Sequence, residues 1–594
     1  MREVVTKSDI KKALGLKGLL GTCISSMAFK VCGFPGINKL FDSAADYQEL
    51  EFTDHILETM NSTYKVEESQ LDNIPKEGAF VVVSNHPFGA IEGLLLYDVI
   101  AKRRPDFKVM ANFLLSNIPN LKNVFFPVNP FTENPEWKSS VGGIKGAIKH
   151  LEEGKGLGIF PAGEVSRYHG HDYPEDLPWS NSIARLIKNA QVPVIPIFWD
   201  GLNSRKFYRV DKIHSMLGTA RLPKEILNKY NREFPLVIGK PILPTEIAQY
   251  EKPKELAAYL RSRSYALEAL LPSDTIKNND TYIEPVSPAK SVEELTAEIE
   301  KIHEKSYLFS ASSYDCYLAD YEDIPNLMYE IARLREEAFR HIGEGTGKGL
   351  DTDEYDTHYK HLILWHRERH QIAGAYRLGI GDELIESQGL KGFYISSLFR
   401  LDSAMEPTLR KTIELGRSFV SLDYQKEVLP LMLLLRGLSM VIVRYPQMEH
   451  FIGPTSISSW YPKFYQSLMV RYISTHHPAD ESLASLVHPS HPFKENFLKV
   501  DADVLLEKNV ESVEKFDKFL FRLSNGYYRL PTLLKKYLRL NSKFLCFNVD
   551  PDFNDTLDGL LLLTFSDFPE SEIMPLFHDC SEEEIQAIRK RFGY

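Results

Sequence analysis

The stretch Val81-Val82-Val83-Ser84-Asn85-His86-Pro87-Phe88-Gly89-Ala90-Ile91-Glu92-Gly93 decides how the first half of this chain is read. A β-branched run ending in Asn-His-Pro predicts a buried strand that stops abruptly, because Pro87 lacks a backbone donor and keeps His86 out of the helical region. His86 is therefore expected at a strand end, where a hydroxyl-activating base is readily mounted. Glu92 lies six residues further on. On an unbroken helix the two would point roughly 240° apart, so they meet only if Pro87 or Gly89 lets the backbone fold back. A carboxylate on one imidazole nitrogen would fix the tautomer and leave the other nitrogen free to take a proton. The bland alternative is a helix-start histidine bonded to backbone.

Around this stretch, strand-like and helix-like segments alternate. Strands are expected at Phe80 to Ser84, Val124 to Val128, Gly156 to Phe160 and Val192 to Phe198, and helices at Leu94 to Lys102, Val141 to Glu153 and Ser182 to Asn189. This is an α/β pattern. The sequences Asn85-His86-Pro87, Phe160-Pro161-Ala162-Gly163-Glu164-Val165-Ser166-Arg167 and Val192-Pro193-Val194-Ile195-Pro196-Ile197 belong to strand ends, where such sheets collect ligands.

The chain has 594 residues, 43% of them hydrophobic, enough for more than one core. Its net charge of −11 is dispersed and carries no nucleic-acid signature. Cys23, Cys32, Cys316, Cys546 and Cys580 lack metal-ligand spacing and suit a reducing compartment. No signal peptide is read at the start, and residues 13–34 are too polar and glycine-rich for a membrane span. That segment is expected to be either an interfacial helix or a buried one. A polar, proline-bearing stretch from Pro272 to Lys290 predicts a linker. Ser291, followed by Glu293 and Glu294, then predicts an N-capped helix.

The motifs quoted from residues 85–93, 160–164 and 192–196 resemble those of the glycerolipid and lysophospholipid acyltransferases, over about residues 50–250. The resemblance implies that His86 is the base and Glu92 its orienting carboxylate, with Asn85, Gly163, Glu164 and Arg167 on the substrate. Two departures stand out. The family's His-x4-Asp motif is here stretched by one residue to Glu92, as in the branch similar to aminolipid acyltransferases. Its Phe-Pro-Glu-Gly-Thr-Arg-Ser motif has Ala162 in the Glu place, with Glu164 two residues on, which points away from a glycerol phosphate acceptor. Gly163 permits close backbone approach, and Glu164 and Arg167 would either bind polar acceptor groups or pair with each other.

The second half reads as a helix through Arg333 to Arg340, an acidic aromatic turn Asp353-Glu354-Tyr355-Asp356, and strands around Leu362 to Trp365 and Ile372 to Leu378. Thr412 to Val420 then leads into an apolar helix from Leu429 to Val443. Acylating an amine from a thioester needs a deprotonated amine, an oriented acyl group and charge stabilisation. Asp353, Asp356 and Glu414 suit an α-ammonium or a proton-relay water, and Arg377 and Arg417 suit a carboxylate. An internal salt-bridge network is the competing reading.

This order is similar to the N-acetyltransferase fold shared with acyl-homoserine-lactone synthases, and more closely to the hemolysin-like ornithine-lipid N-acyltransferases. The resemblance spans about residues 310–565. Its matching positions are Arg335 with Phe339, Asp353 with Asp356, Arg377, and Glu414 with Arg417; the segments Leu530 to Leu540 and Asp550-Pro551-Asp552-Phe553 are also similar. Four units are expected: 1–50 helical and membrane-interfacial in character, 51–271 lysophospholipid-acyltransferase-like, 272–309 linker and helix, and 310–594 N-acyltransferase.

Together the halves resemble a bifunctional aminolipid synthase. The resemblance implies N-acylation of ornithine or glycine with a 3-hydroxyacyl group, then O-acylation of that hydroxyl. The donor would be acyl carrier protein or coenzyme A as co-substrate, with no bound cofactor and no metal. The implied partners are acyl carrier protein, the amino acid, the lyso-aminolipid and the inner face of the cell membrane, with the protein cytoplasmic and peripheral and with no nucleic acid. The alternatives are a lysophospholipid O-acyltransferase with a non-catalytic second half, or a membrane-surface lipid-binding scaffold. His476, His477, His488 and His491, interleaved with prolines, read as loop histidines. Gly343 to Gly349 lacks phosphate-loop spacing and reads as a mobile loop.

Overall fold

The computed structural model describes residues 6–8, 18–112, 118–128, 137–170, 172–272, 283–497 and 499–594. The chain folds as two compact units, Met1–Asp274 with Phe497–Tyr528, and Thr275–Asn496 with Arg529–Tyr594. Most of the expected linker, residues 273–282, lies outside the described residues, as do Leu14 and Leu16 of the N-terminal stripe.

The first unit is built on a seven-stranded sheet in the order β1-β7-β6-β2-β5-β3-β4. Its strands are β1 Thr63–Lys65, β2 Phe80–Ser84, β3 Lys108–Asn112, β4 Phe125–Val128, β5 Gly156–Ile159, β6 Val194–Trp199 and β7 Glu233–Ile238. β2 pairs in parallel with β5 on one side and β6 on the other, with Val83 opposite Ile159 and Pro196. Every β2 residue is buried, which explains the unbroken Val run: a central parallel strand has no solvent face. The helix Ala90–Ala101 is likewise buried nearly all round, and Leu94, Leu95 and Ile100 join Phe80, Val82 and Trp199 in one core. Since β5, β2 and β6 run the same way, Phe160, Asn85 and Asp200 emerge along one edge of the sheet.

β1, β3 and β7 have weak sequence signatures. β1 is only three residues long, β3 opens on a lysine, and β7 contains Pro235, which argues against a strand by its missing donor. In the N-terminal helix Gly18–Val31, Phe29 is buried, while Met27 and Val31 are 70% and 59% exposed. No helix among the described residues is long and apolar enough to cross a membrane.

Residues Phe497–Tyr528, placed by sequence in the C-terminal domain, cluster with the first unit. Their helix Val513–Leu523 buries Phe516, Phe519, Leu520 and Leu523 on one face. Arg522 reaches Glu246 at 2.9 Å and the Pro241 carbonyl at 2.9 Å, and the Arg263 guanidinium sits over Phe519.

The second unit carries an eight-stranded sheet in the order β16-β17-β14-β13-β11-β10-β9-β8. Its strands are β8 Tyr307–Ala311, β9 Tyr314–Asp320, β10 Lys360–His366, β11 Gln371–Ile380, β13 Thr412–Val420, β14 His450–Ile457, β16 Lys543–Asp550 and β17 Thr556–Thr564; β12 Phe399–Leu401 and β15 Val487–Pro489 form a separate small sheet. Helix Val292–Ser306 begins with a capping box, Ser291 accepting from the Glu294 N–H and Glu294 accepting in return. The Gly343–Gly349 loop, expected to be mobile, is pinned: buried Glu336 accepts from the N–H groups of Thr346 and Gly347 at 3.0 and 2.9 Å.

Two irregularities shape the middle of this sheet. β13 and β14 are parallel neighbours only from Thr412 opposite His450 to Glu414 opposite Ile452, although both strands continue beyond. They splay. On its other side, β13 sets Arg417 and Ser418 against a single residue of β11, and Arg417 adopts a positive φ of 47°, a bulge that re-aims its side chain. At the apex of the splay, Gly453 admits the Leu415 carbonyl, which would stand 2.3 Å from a Cβ placed there. Gly453→Ala should therefore push the strands apart and cost about 1–3 kcal/mol, read as a lower thermal midpoint. An unchanged midpoint would show that the apex has slack.

Candidate functional site

In the first unit, Gly89 takes φ 97° immediately before the helix Ala90–Ala101 and turns the chain so that Glu92, in the first helical turn, faces back on His86. Glu92 Oε1 lies 2.6 Å from His86 Nδ1, and Oε2 accepts from the Phe88 N–H at 2.8 Å. Glu92 is fully buried, whereas the His86 side chain is 18% exposed. Its Nε2 has no hydrogen-bond partner among the described residues, and its ring lies against Phe160 with centroids 4.5 Å apart. Burial alone would lower the His86 pKa, but the charges of Glu92, Asp176 and Glu164 outweigh it and raise the value above the ordinary 6.5. Burial raises the carboxyl of Glu92.

The backbone of His86 is clamped as firmly as its ring. Its N–H donates to Asp176 at 3.1 Å and its carbonyl accepts from the Ser166 N–H at 2.8 Å. Asp176 also accepts from the Ser166 hydroxyl at 2.6 Å and from Trp179 Nε1 at 3.0 Å. Asp176, nine residues past the quoted motif, was not legible as part of the site.

Asn85, expected on substrate, is spent on the fold. Its amide donates to the Trp199 carbonyl at 2.9 Å and accepts from the Trp199 N–H at 2.8 Å, locking the end of β2 to the end of β6. Gly163 holds a turn at φ 74°, its N–H on the Phe160 carbonyl. Arg167 is buried, ion-paired to Asp211 and bonded to Thr219 at 2.9 Å, with Glu164 3.4 Å away. The two side chains face each other, and Glu164 keeps 31% of its side chain exposed.

In the second unit, the sequence-picked charges converge. Arg335 binds Asp356 in bidentate fashion at 3.1 and 3.0 Å and pairs with Asp351 at 2.9 Å. Arg377 pairs with Asp353 and, at 3.0 Å, with Asp356. Arg417, turned inward by its bulge, pairs with Asp351 at 3.3 Å and Asp353 at 3.2 Å. Asp353 and Asp356, expected to meet an ammonium, are instead counter-ions of arginines. Burial opposes ionisation of Asp356, but Arg335 and Arg377 hold its carboxyl far below the ordinary range. Phe339 packs edge-on against Phe553, over which the Arg417 guanidinium lies at 4.8 Å.

Glu414 is also occupied. It accepts from the Tyr359 hydroxyl and from the N–H groups of Tyr394 and Ile395 at 3.0 and 2.8 Å. Burial pushes its carboxyl up to about 7. By contrast, one edge of Arg377 is free: its Nε and Nη2 have no hydrogen-bond partner although the side chain is 1% exposed. That edge faces Gly416, where a Cβ would stand 3.7 Å from Nε and 4.0 Å from Nη2. Adjacent N–H donors on a planar guanidinium suit a carboxylate.

Residues 31–274 match the acyltransferase family, and residues 334–435 match the acetyltransferase (GNAT) domain. The protein is thus an acyltransferase with an N-terminal acyltransferase domain and a C-terminal GNAT domain in a single polypeptide. The glycine N(alpha)-acyltransferase of Phocaeicola vulgatus is 30% identical over 323 residues, covering 51% of this chain and 95% of that protein. The chain belongs to the family of that enzyme. The lyso-glycine lipid O-acyltransferase of the same organism is 27% identical over 226 residues, covering 37% of this chain and 78% of that protein. The solved 1-acyl-sn-glycerophosphate acyltransferase of Thermotoga maritima covers 37% of this chain and 77% of its own, at 20% identity and a TM-score of 0.25, too low for structural inference.

The His86–Glu92 pair makes a definite prediction for pH. A base acts when deprotonated, so with His86 as that base its raised pKa places the rising limb of the acyl-transfer rate above pH 6.5. Glu92→Gln removes the charge that raises it, so the limb should move to lower pH while the plateau rate falls by about 10²-fold or more. A pH–rate profile that keeps its position in the variant would exclude the pair as the titrating unit.

Proposed function

We propose that the protein builds a diacylated amino-acid lipid in two steps, with glycine as acceptor. One observation carries this reading: a single chain covers 95% of a glycine N-acyltransferase and 78% of a lyso-glycine lipid O-acyltransferase. In the first step, the glycine nitrogen attacks the thioester carbonyl of a 3-hydroxyacyl donor in the GNAT unit. The C–N bond forms, the C–S bond breaks, and a proton from the amine leaves with the thiol. Arg377 takes the α-carboxylate on its free Nε/Nη2 edge, and Arg335, Asp351, Asp353, Asp356 and Arg417 hold that guanidinium in place. Glu414 positions Tyr394 beside it.

In the second step His86 Nε2 takes the proton from the 3-hydroxyl as that oxygen attacks a second thioester. A C–O bond forms, a C–S bond breaks, and the imidazolium returns the proton to the departing thiolate. Glu92 fixes the tautomer and stabilises the imidazolium. Glu164 faces the polar part of the acceptor, supported by Arg167. Ala162 in place of a carboxylate fits an acceptor without a phosphate. Acyl carrier protein is the donor in this scheme, as coenzyme A thioesters would be chemically. Exposed Met27 and Val31 on the helix Gly18–Val31 suit contact with the inner face of the cell membrane, where the lipid substrates lie.

Lipid extracts from a host expressing the chain should contain new mono- and diacylated glycine, identified by mass. In the His86→Ala variant the diacyl product should fall by about 10²–10⁴-fold while the N-acylglycine accumulates. Loss of both products together would refute the division of labour, and altered phospholipids without acylglycines would refute the acceptor.

A further inference from the structure

The carboxylates that sequence reasoning reserved for an ammonium group are all taken, Asp353 and Asp356 by arginines and Glu414 by Tyr359 and backbone donors. Asp558 is not. Asp558, on β17, is 7% exposed, and its carboxylate has no hydrogen-bond or ion-pair partner among the described residues. It stands opposite Ser456 of β14 on one side and Asn548 of β16 on the other. Ser456 donates at 2.9 Å to Glu344, itself 4% exposed, and Asp550, at the end of β16, is 5% exposed. None of Glu344, Asp550 and Asp558 has a lysine or arginine within ion-pair distance among the described residues. Buried carboxylates are rarely left in this condition, because charge removed from water has to be met by a counter-charge or suppressed.

Asp550 and Asp558 lie on the β14–β17–β16 arm of the splay, Glu344 is bonded to that arm through Ser456, and Arg417 and Gly416 lie on the β13 arm. Tyr394 links the two sides: its phenol feels Arg417 and Arg377 together with Asp558 and Asp550. The free Nε/Nη2 edge of Arg377 is a second, independent observation: a buried pair of donors without hydrogen-bond partners, opposite a residue with no side chain. Unsatisfied donors on one arm and acids without an ion-pair partner on the other match a small zwitterion. Among the described residues no three acids, histidines or cysteines come together as metal ligands.

We infer that Asp558, backed by Glu344 and Asp550, binds the ammonium of the amino-acid acceptor in the β13–β14 splay, opposite the Arg377 edge that takes its carboxylate. This rests on the N-acyltransferase reading of the GNAT unit. Burial pushes Glu344 up to about 7, and burial with the nearby Asp550 and Glu344, against the opposing charge of Arg417, raises Asp558 well above its ordinary value. When the ammonium arrives it supplies the missing counter-charge, and a carboxylate of this wall accepts the proton that the nitrogen sheds before its lone pair attacks the thioester.

The test uses the full chain with Asp558→Asn and, separately, Glu344→Gln. Glycine and a 3-hydroxyacyl carrier protein are titrated in turn, and glycine binding without donor is followed by calorimetry. The KM for glycine should rise about 30-fold in Asp558→Asn, as for loss of one charged hydrogen bond, and the donor KM should stay within about twofold. Glycine binding should weaken by the same factor. The thermal midpoint of the ligand-free variant should equal or exceed that of the wild type, because a repelled, uncompensated acid has been removed. A merely structural aspartate would lower the midpoint instead. A glycine KM unchanged in Asp558→Asn, alongside a wild type that acylates glycine, would overturn this inference alone. A wild type that neither binds nor acylates glycine would overturn the function reading, and this inference with it.

Discussion

A carboxylate withdrawn from water must be met by donors, and that single requirement organises both units of this protein. Glu92 is fully buried and bends the chain at Gly89 so that the His86 imidazole and the Phe88 N–H can reach it. Asp176 gathers a histidine N–H, a serine hydroxyl and an indole, and so ties the loop after β5 to the end of β2. Glu246, facing Tyr259, Arg263 and Arg522, secures the late segment Phe497–Tyr528 to the first unit. In the second unit Asp351, Asp353 and Asp356 neutralise Arg335, Arg377 and Arg417 in an interior where any one of them alone would be costly. Such networks give geometry more than stability, since an apolar packing of equal volume would hold the fold as well.

Much of this was legible in the sequence, and the reason lies in locality. The Val81–Val83 run declares a central parallel strand because its period is missing, and Pro87 with Gly89 declares the bend that makes the His86–Glu92 contact possible. Ser291 and Glu294 announce a helix start by chemistry confined to one turn. The alternation of segments was enough for the α/β class, which the family matches support. Strands β1, β3 and β7 escaped because short length, an opening lysine and an internal proline each erase the usual pattern.

What escaped in the sites is what distance in the chain conceals. Asp176 and Asp211 meet His86 and Arg167 only through the fold. Asp351 and Tyr359 flank the motif residues yet carry no signal that separates them from any other acid or tyrosine. The inward turn of Arg417 depends on a bulge, a mismatch of register that exists only once β13 is laid against β11. Asn85 shows the converse error. Its residue type and its place beside His86 suggest a ligand contact, whereas its amide is complementary to the backbone of Trp199 and completes the sheet edge. A polar side chain that holds two strands in register and one that holds a ligand are written identically in sequence.

The return of Phe497–Tyr528 to the first unit makes the two folds nested in sequence: the chain leaves one, builds most of the other, comes back, and only then adds β16 and β17. Cutting at residues 273–282 would therefore not yield two complete pieces, because the downstream fragment would carry part of the upstream fold with it. During synthesis the order is equally constrained. The first unit waits for its helix Val513–Leu523, and the second waits for the strand that bears Asp558. Neither can finish long before the other, so a cell that makes this polypeptide obtains the two units in equal number, and a proteolytic nick late in the chain reaches both.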